Sequence, residues 1–367
     1  MTTQLFTSDE LKKFEKIYKN LENDDEFEIM FGGYNRNNYL NLQQFNNLLS
    51  FLKKFSIDEK LELEYKNTLD IGYNYDKNNF HSYRITIKDL KNINDNLSLI
   101  NERNNNIIYS MLISKIIKGN KDMTIINKIK NFDKTYNIDN YDIRVRLSKE
   151  KKVEKKELEK LLEIKEINKL NINYRFKNRL SVIAINNPEV ELRIDLTNVK
   201  SNNNINRLQK SKNNYELEID FNKKKKITAA KEKKYLNEIM KLIILLKKVI
   251  EQNNFIISKT EKQLILSKYN KLVYGSEESS VNGSYTNNSQ SLEVIHTVDY
   301  LPNKYSVTDK ADGDRYLGFI TDGKLYFITT NLNVKYSGIT IKNKKYNDSI
   351  IDGEYIYIAK YNKYEQG

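Results

Sequence analysis

Cysteine is absent from the 367 residues, and histidine occurs only at positions 81 and 296. Without cysteine there is no disulfide, no thiolate nucleophile and no cysteine-ligated zinc. Two histidines make a multi-histidine metal site or a Ser-His-Asp triad improbable, so any metal bound here is expected to be a hard cation held by oxygen. Long apolar runs are missing as well. The densest, "LIILL" at 242–246, is far too short to span a bilayer. The opening "MTTQLFTSDE" has neither the basic nor the apolar stretch of a signal peptide. A soluble intracellular protein with no membrane partner is expected.

Charge is abundant. Lys plus Arg number 62 against 49 Asp plus Glu, a net charge of +13, which favours a polyanionic partner such as nucleic acid or nucleotide. Lys, Asn, Ile and Tyr are abundant together, as an AT-rich genome would produce, and coding bias is the alternative reading of this charge. The length allows two or three domains.

The charges are patterned. In "NYELEIDF", 214–221, Glu216, Glu218 and Asp220 alternate with Leu217, Ile219 and Phe221. In an extended chain such acids form one row, about 6.6–6.8 Å apart. "DEFEIMF" repeats the pattern with Glu26 and Glu28. Between these two segments the chain reads largely with period two from about 60 to 221, interrupted by an acidic-basic helix near 151–169. Basic side chains share one face in several strands: Arg84 with Thr86 and Lys88, Lys128 with Lys130, Arg144 with Arg146, and Arg175 with Lys177 and Arg179. Helices are expected from about residue 8 with Ser8 as cap, over "LNLQQFNNLLSFLKKF", over 229–254 and over 258–273. The Ser-, Asn- and Gly-rich stretch 275–291 reads as a linker.

An open sheet would expose a large single-sided array of charge. Closed into a barrel, the strands could turn every charged face inward, but a lumen of unpaired like charges costs several kcal/mol per group. A divalent cation against the glutamates and a polyphosphate against the Arg and Lys rows would neutralise both sets.

The chain from "EFEIMF" through "RFKNR", "LRIDLTNVK" and "YELEIDF" resembles the metal-dependent RNA 5′-triphosphatases of the triphosphate-tunnel fold, in particular the N-terminal domains of giant-virus mRNA capping enzymes. The likeness covers about residues 10–222. It implies an α+β architecture, an eight-stranded antiparallel β-barrel with flanking helices. It further implies Glu26, Glu28, Glu216 and Glu218 as ligands of Mg²⁺ or Mn²⁺, and Arg175, Lys177, Arg179 and Arg193 as phosphate clamps. Asp195 would orient Arg193, and Glu150 the attacking water. Arg84, Lys130, Arg144 and Arg146 would add substrate contacts. Asp220 stays open between a secondary acid of the site and a structural one.

A second motif follows the linker. Lys310, Asp312, Gly313 and Arg315 of "DKADGDRY", with Asp352-Gly353-Glu354 of "IIDGEYI", fit K-x-D-G-x-R and the D-G-E element of covalent nucleotidyltransferases. By this resemblance Lys310 is the nucleophile toward the α-phosphate of GTP, with Arg315 and Glu354 beside the substrate. The nucleotidyltransferase-type α/β domain is expected to be truncated at Gly367, its later elements lying beyond.

The expected organisation is a tunnel domain with flanking helices over 1–255, a helix and flexible linker over 256–292, and a partial guanylyltransferase domain over 293–367. The function implied is removal of the γ-phosphate from 5′-triphosphate RNA as the first step of mRNA capping, in the host cytoplasm, a viral factory or the virion. GTP is a partner if the transferase is completed, and a further capping subunit or the missing C-terminal part is a possible one. Two alternatives stand beside it: a tunnel-fold hydrolase of nucleoside triphosphates or polyphosphate, and a non-catalytic module binding RNA or a capping subunit.

Overall fold

The computed structural model describes every residue except 1–5, 23–24, 33–39, 75–80, 102–104, 163–170, 278–292, 296–303, 305–312, 359–362 and 367. The chain divides into two compact units, Met1–Glu251 and Gln252–Gly367.

The first unit is built on eight strands: β1 (Asp25–Phe31), β2 (Glu62–Asn74), β3 (His81–Lys88), β4 (Met123–Ile138), β5 (Ile143–Lys152), β6 (Asn171–Asn186), β7 (Val190–Asn202) and β8 (Asn213–Lys223). They close into a barrel in the order β1-β5-β4-β3-β2-β6-β7-β8, every neighbouring pair antiparallel. Closure leaves no free edge. It also settles which face is which: the apolar side of each strand points outward under helices, and the charged side points into the lumen.

On the β1/β8 side, Phe27, Ile29, Leu217, Ile219 and Phe221 are almost fully buried beneath α1 (Ser8–Lys19) and α7 (Ala229–Glu251). Phe14 meets Phe27 edge-on at 5.7 Å, and Tyr18 and Tyr235 contact Phe221. Each such burial is worth about 1.5–3 kcal/mol. The N-cap of α1 is Thr7, one residue earlier than the sequence suggests. Its hydroxyl accepts from Glu10 N at 3.2 Å while Glu10 accepts from Thr7 N at 2.8 Å, so a capping box outranks Ser8. Leu42–Asp58 forms α2, capped by Asn41.

The opposite side of the barrel departs from the period-two reading. Between β3 and β4 the chain forms two helices, α3 (Leu90–Asn101) and α4 (Asn105–Ile117). Asparagine is a poor helix former, and here the tertiary packing decides. Ile93, Leu112 and Ile113 join Leu158 and Leu161 of α5 (Lys155–Leu162) and Leu208 of α6 (Ile205–Leu208) over the outward Leu69, Ile71, Ile85, Ile87 and Ile125.

The second unit is a five-stranded antiparallel sheet, β11-β10-β9-β12-β13, from β9 (Asp314–Thr321), β10 (Lys324–Thr329), β11 (Val334–Thr340), β12 (Ser349–Ile358) and β13 (Lys363–Gln366). One face is covered by α8 (Lys259–Tyr274), whose Ile265 and Tyr269 pack on Leu317, Phe319, Tyr326, Ile328 and Val334. This helix, expected beside the linker, thus belongs to the core of that unit. Among the described residues no helix is long and apolar enough to cross a membrane.

Candidate active site

The barrel register assembles the site. Glu28 lies opposite Arg146 of β5 on one side and Asp220 of β8 on the other. Asp220 lies opposite Arg193, and Glu218 opposite Asp195, both of β7. Across the lumen Asp70 of β2 is registered with Arg175 of β6 and with Thr86 of β3. A cavity of about 290 Å³ runs between these walls, and Glu26, Glu28, Asp70, Arg84, Lys128, Arg146, Arg175, Lys177, Arg179, Glu216, Glu218 and Asp220 all line it.

One wall is acidic. Glu26, Glu28 and Asp220 each present a carboxylate oxygen, and the three oxygens lie within 4.8 Å of one another. Asp220 Oδ2 accepts from Arg193 Nη2 at 2.7 Å, while its Oδ1 is buried and accepts no hydrogen bond from the described residues. Burial raises the Asp220 pKa well above the usual carboxylate range, helped by the nearby charges of Glu218, Asp195 and Glu28. Glu218 is raised too, by burial and then by Glu28. Crowded, desolvated carboxylates with an unpartnered oxygen fit a hard divalent cation, which takes oxygen ligands. Glu216 also lines this cavity, but Arg175 Nη2 grips both its oxygens at 2.7 and 2.8 Å.

The other wall is basic and held in place by buried acids. Asp195, fully buried, accepts from Arg179 Nη1 at 2.7 Å and from Arg193 Nε at 2.9 Å. It therefore holds two arginines, where the resemblance implied one. Arg179 Nε also donates to Thr197 Oγ1 at 3.1 Å, and its Nη2 lies 3.7 Å from Glu218. Lys177 pairs with Asp70 at 2.6 Å, and Thr86 donates to Asp70 at 2.9 Å. Burial works to raise the Asp70 pKa, but Lys177 and Arg84 overcome it and hold the carboxyl at about 2. The ammonium of Lys177 is pushed down by burial and by Arg175, Arg179 and Arg84, against the pull of Asp70. The 2.6 Å contact between Lys177 and Asp70 has the short length of a charge-assisted hydrogen bond.

Glu150, which is not among the residues lining the cavity, accepts from Arg84 Nη2 at 3.0 Å and from Lys128 Nζ at 3.0 Å, both of which do line it. Burial opposes ionisation there, yet Lys128 and Arg84 lower its pKa. Arg146 donates to Glu28 through Nε at 2.6 Å.

Arg144, registered opposite Met30, does not line the cavity. The side chain of Lys130 lies outside the described residues. Lys66, Thr68 and Asp70 escaped the sequence reading although they line the cavity on β2; their alternation with Asn67, Leu69 and Ile71 was the available signal.

In the second unit, Lys310 and Asp312 lie outside the described residues. Arg315 donates to Asp352 Oδ1 at 2.9 Å, and Gly313 N donates to Glu354 Oε2 at 2.9 Å. A Cβ at Gly313 would come within 2.5 Å of Tyr355 O, so this turn needs glycine.

Residues 34–263 match the family described as mRNA capping enzyme, beta chain. The chain is 29% identical over 359 residues, 96% of its length, to a probable mRNA-capping enzyme of Acanthamoeba polyphaga mimivirus, and spans 28% of that protein. The fold is also that of the crystal structure of the RNA triphosphatase domain of a trifunctional mimivirus mRNA capping enzyme, with TM-score 0.50 and 23% identity over 66% of this chain and 98% of that one. With well over half of its residues matched by the family model, the chain belongs to the family of the mRNA capping enzyme, beta chain.

Proposed function

We propose that the barrel is a metal-dependent RNA 5′-triphosphatase, removing the γ-phosphate from triphosphate-ended RNA as the first step of cap formation. The observation that carries this reading is the meeting of converging carboxylates and basic side chains in one lumen. Three carboxylates converge within 4.8 Å, and Arg175, Lys177 and Arg179 line the same cavity. A polyphosphate suits such a cavity because its oxygens answer the basic side chains, with charge-assisted hydrogen bonds of about 1.5–3 kcal/mol each.

Glu26, Glu28 and Asp220 would hold Mg²⁺ or Mn²⁺, with Glu218 beside them. A bound divalent ion supplies charge stabilisation at the phosphoryl oxygens. The chain's own residues do the rest. Arg179 and Arg193, fixed by Asp195, and Lys177, fixed by Asp70, orient the phosphates and stabilise charge on the transferring group. Glu150, kept ionised, accepts a hydrogen bond from water and aims it, since a carboxylate with a lowered pKa is a poor proton acceptor.

The second unit is proposed as the start of a guanylyltransferase domain. The Arg315–Asp352 pair and the Gly313–Glu354 hydrogen bond tie the two motif segments together, which supports a common site at the end of the sheet.

The test is phosphate release from γ-labelled triphosphate RNA and from labelled ATP, with Mg²⁺, Mn²⁺ or EDTA. Release is expected only with metal, and Glu26→Ala, Glu28→Ala and Asp220→Ala should each abolish it. Full activity in EDTA overturns the metal role. Hydrolysis of ATP with none of RNA moves the substrate to free nucleotides.

A further inference from the structure

Lys128 of β4 places its ammonium among the acids. Its Nζ lies 2.8 Å from Glu26 Oε2, 3.4 Å from Glu28 Oε1 and 3.0 Å from Glu150 Oε1, and the side chain is only 12% exposed. Glu26 and Glu28 are two of the three acids whose oxygens converge. A hard divalent ion takes carboxylate oxygens at about 2.0–2.6 Å, so an ion shared by Glu26 and Glu28 would claim the space that the ammonium fills. Two cations cannot share it.

The residue type is informative. Arginines 146, 175, 179 and 193 touch Glu28, Glu216, Asp195 and Asp220 with planar forks suited to a fixed geometry, and at Glu28 Lys128 stands beside Arg146. Lysine is a compact charge on a flexible four-carbon stem, suited to a cation that must move. Lys177, a second lysine lining the cavity, is committed to Asp70 at 2.6 Å.

Resting on the triphosphatase reading, we propose that Lys128 is the resident counter-cation of the metal site. It holds Glu26 and Glu28 together until a divalent ion displaces it, then turns to Glu150 and to the phosphate oxygens that enter the lumen. Metal and polyphosphate binding become one linked event, because each favours the position of Lys128 that the other needs. Lys128 is in this sense a positioning residue whose first partner is the site itself.

Direct competition makes a prediction that a general field effect does not. Mn²⁺ affinity of the full chain is measured by electron paramagnetic resonance of free Mn²⁺, without RNA or nucleotide. Lys128→Met should bind Mn²⁺ about tenfold more tightly than wild type, the size expected for groups in direct contact, and Lys128→Gln should behave alike. Arg84→Met removes a charge from the same lumen but no hydrogen bond to Glu26 or Glu28, and should change the affinity less than about threefold, as for groups that do not touch. In unmutated protein, acetylation of Lys128, read by peptide mass spectrometry, should rise when Mn²⁺ is added; this measurement decides if the variants fail to fold.

The proposal is overturned if both Lys128 variants bind Mn²⁺ no more tightly than wild type, if Arg84→Met gains as much as they do, or if acetylation of Lys128 ignores Mn²⁺. Should Glu26→Gln and Glu28→Gln leave Mn²⁺ binding intact, the metal reading itself fails and takes this proposal with it. Binding that is lost in those two variants while Lys128→Met shows no gain sinks the proposal alone.

Discussion

Asp195 accepts hydrogen bonds from Arg179 and Arg193 while having no exposed surface of its own. Replacing it with alanine would leave two half-buried guanidiniums without their shared acceptor, and breaking a buried pair by removing one partner costs about 3–5 kcal/mol. Asp195→Ala should therefore lower the urea midpoint by about that energy divided by the m-value and suppress phosphate release, with Asp195→Asn milder because one acceptor oxygen survives. An unchanged midpoint for the alanine variant would show that the arginines find other partners. Asp70 makes a different prediction through its pKa. Its folded value of about 2 lies below the ordinary 3.8, so the unfolded chain binds more protons between the two. The stability this carboxylate contributes is complete above the ordinary value and is lost as the pH falls through about 2. Thermal melts from pH 5 to 2 should show a shallower acid limb for Asp70→Asn than for wild type. Equal slopes would mean that Asp70 is not held low by Lys177 and Arg84.

At the scale of strands, the forked contacts of β6 can be separated from its charge. Arg179 reaches Thr197 with Nε and Asp195 with Nη1, and no lysine can make both. Arg179→Lys keeps the charge yet should slow turnover about tenfold or more, the worth of one charge-assisted hydrogen bond. Full activity in that variant would reduce Arg179 to a point charge. The same strands show what a sequence can reveal. β1, β6, β7 and β8 were legible because charged side chains on alternate positions leave a readable row, and a closed barrel is the arrangement that hides such rows from solvent. β2 was harder, since Thr68 and the lone Asp70 interrupt its row of charges. The two helices between β3 and β4 were hidden by asparagine-rich segments whose helicity comes from packing on the barrel. Least legible was which acids meet. The convergence of Glu26 and Glu28 with Asp220 depends on the pairing of Glu28 with Asp220 across β1 and β8, and period two carries no register between distant strands. Asp220 could be placed on the right face, therefore, but not in the right company.

At the scale of the whole molecule, metal binding should act on one unit. All residues lining the cavity lie within Met1–Glu251, and burial first, then the charges of neighbouring acids, raises the pKa of Glu218 and Asp220. A divalent ion offsets the cost of charging these acids only in the folded barrel, where the carboxylates converge. Ligand that binds only the folded state stabilises by about 2.7 kcal/mol at a hundredfold excess over Kd. Hydrogen exchange on the full chain should thus slow in β1 and β8, and in β5 and β7 beside them, when Mn²⁺ is added. β9, β10 and β12 of the second unit, which supply none of the converging carboxylates, should keep their rates. Asp220→Asn should remove most of the protection, because it takes a charged oxygen from the converging set. Uniform slowing across both units would point to nonspecific binding by surface acids. Unchanged exchange in β1 and β8 would place the metal, if one binds, elsewhere than at Glu26, Glu28 and Asp220.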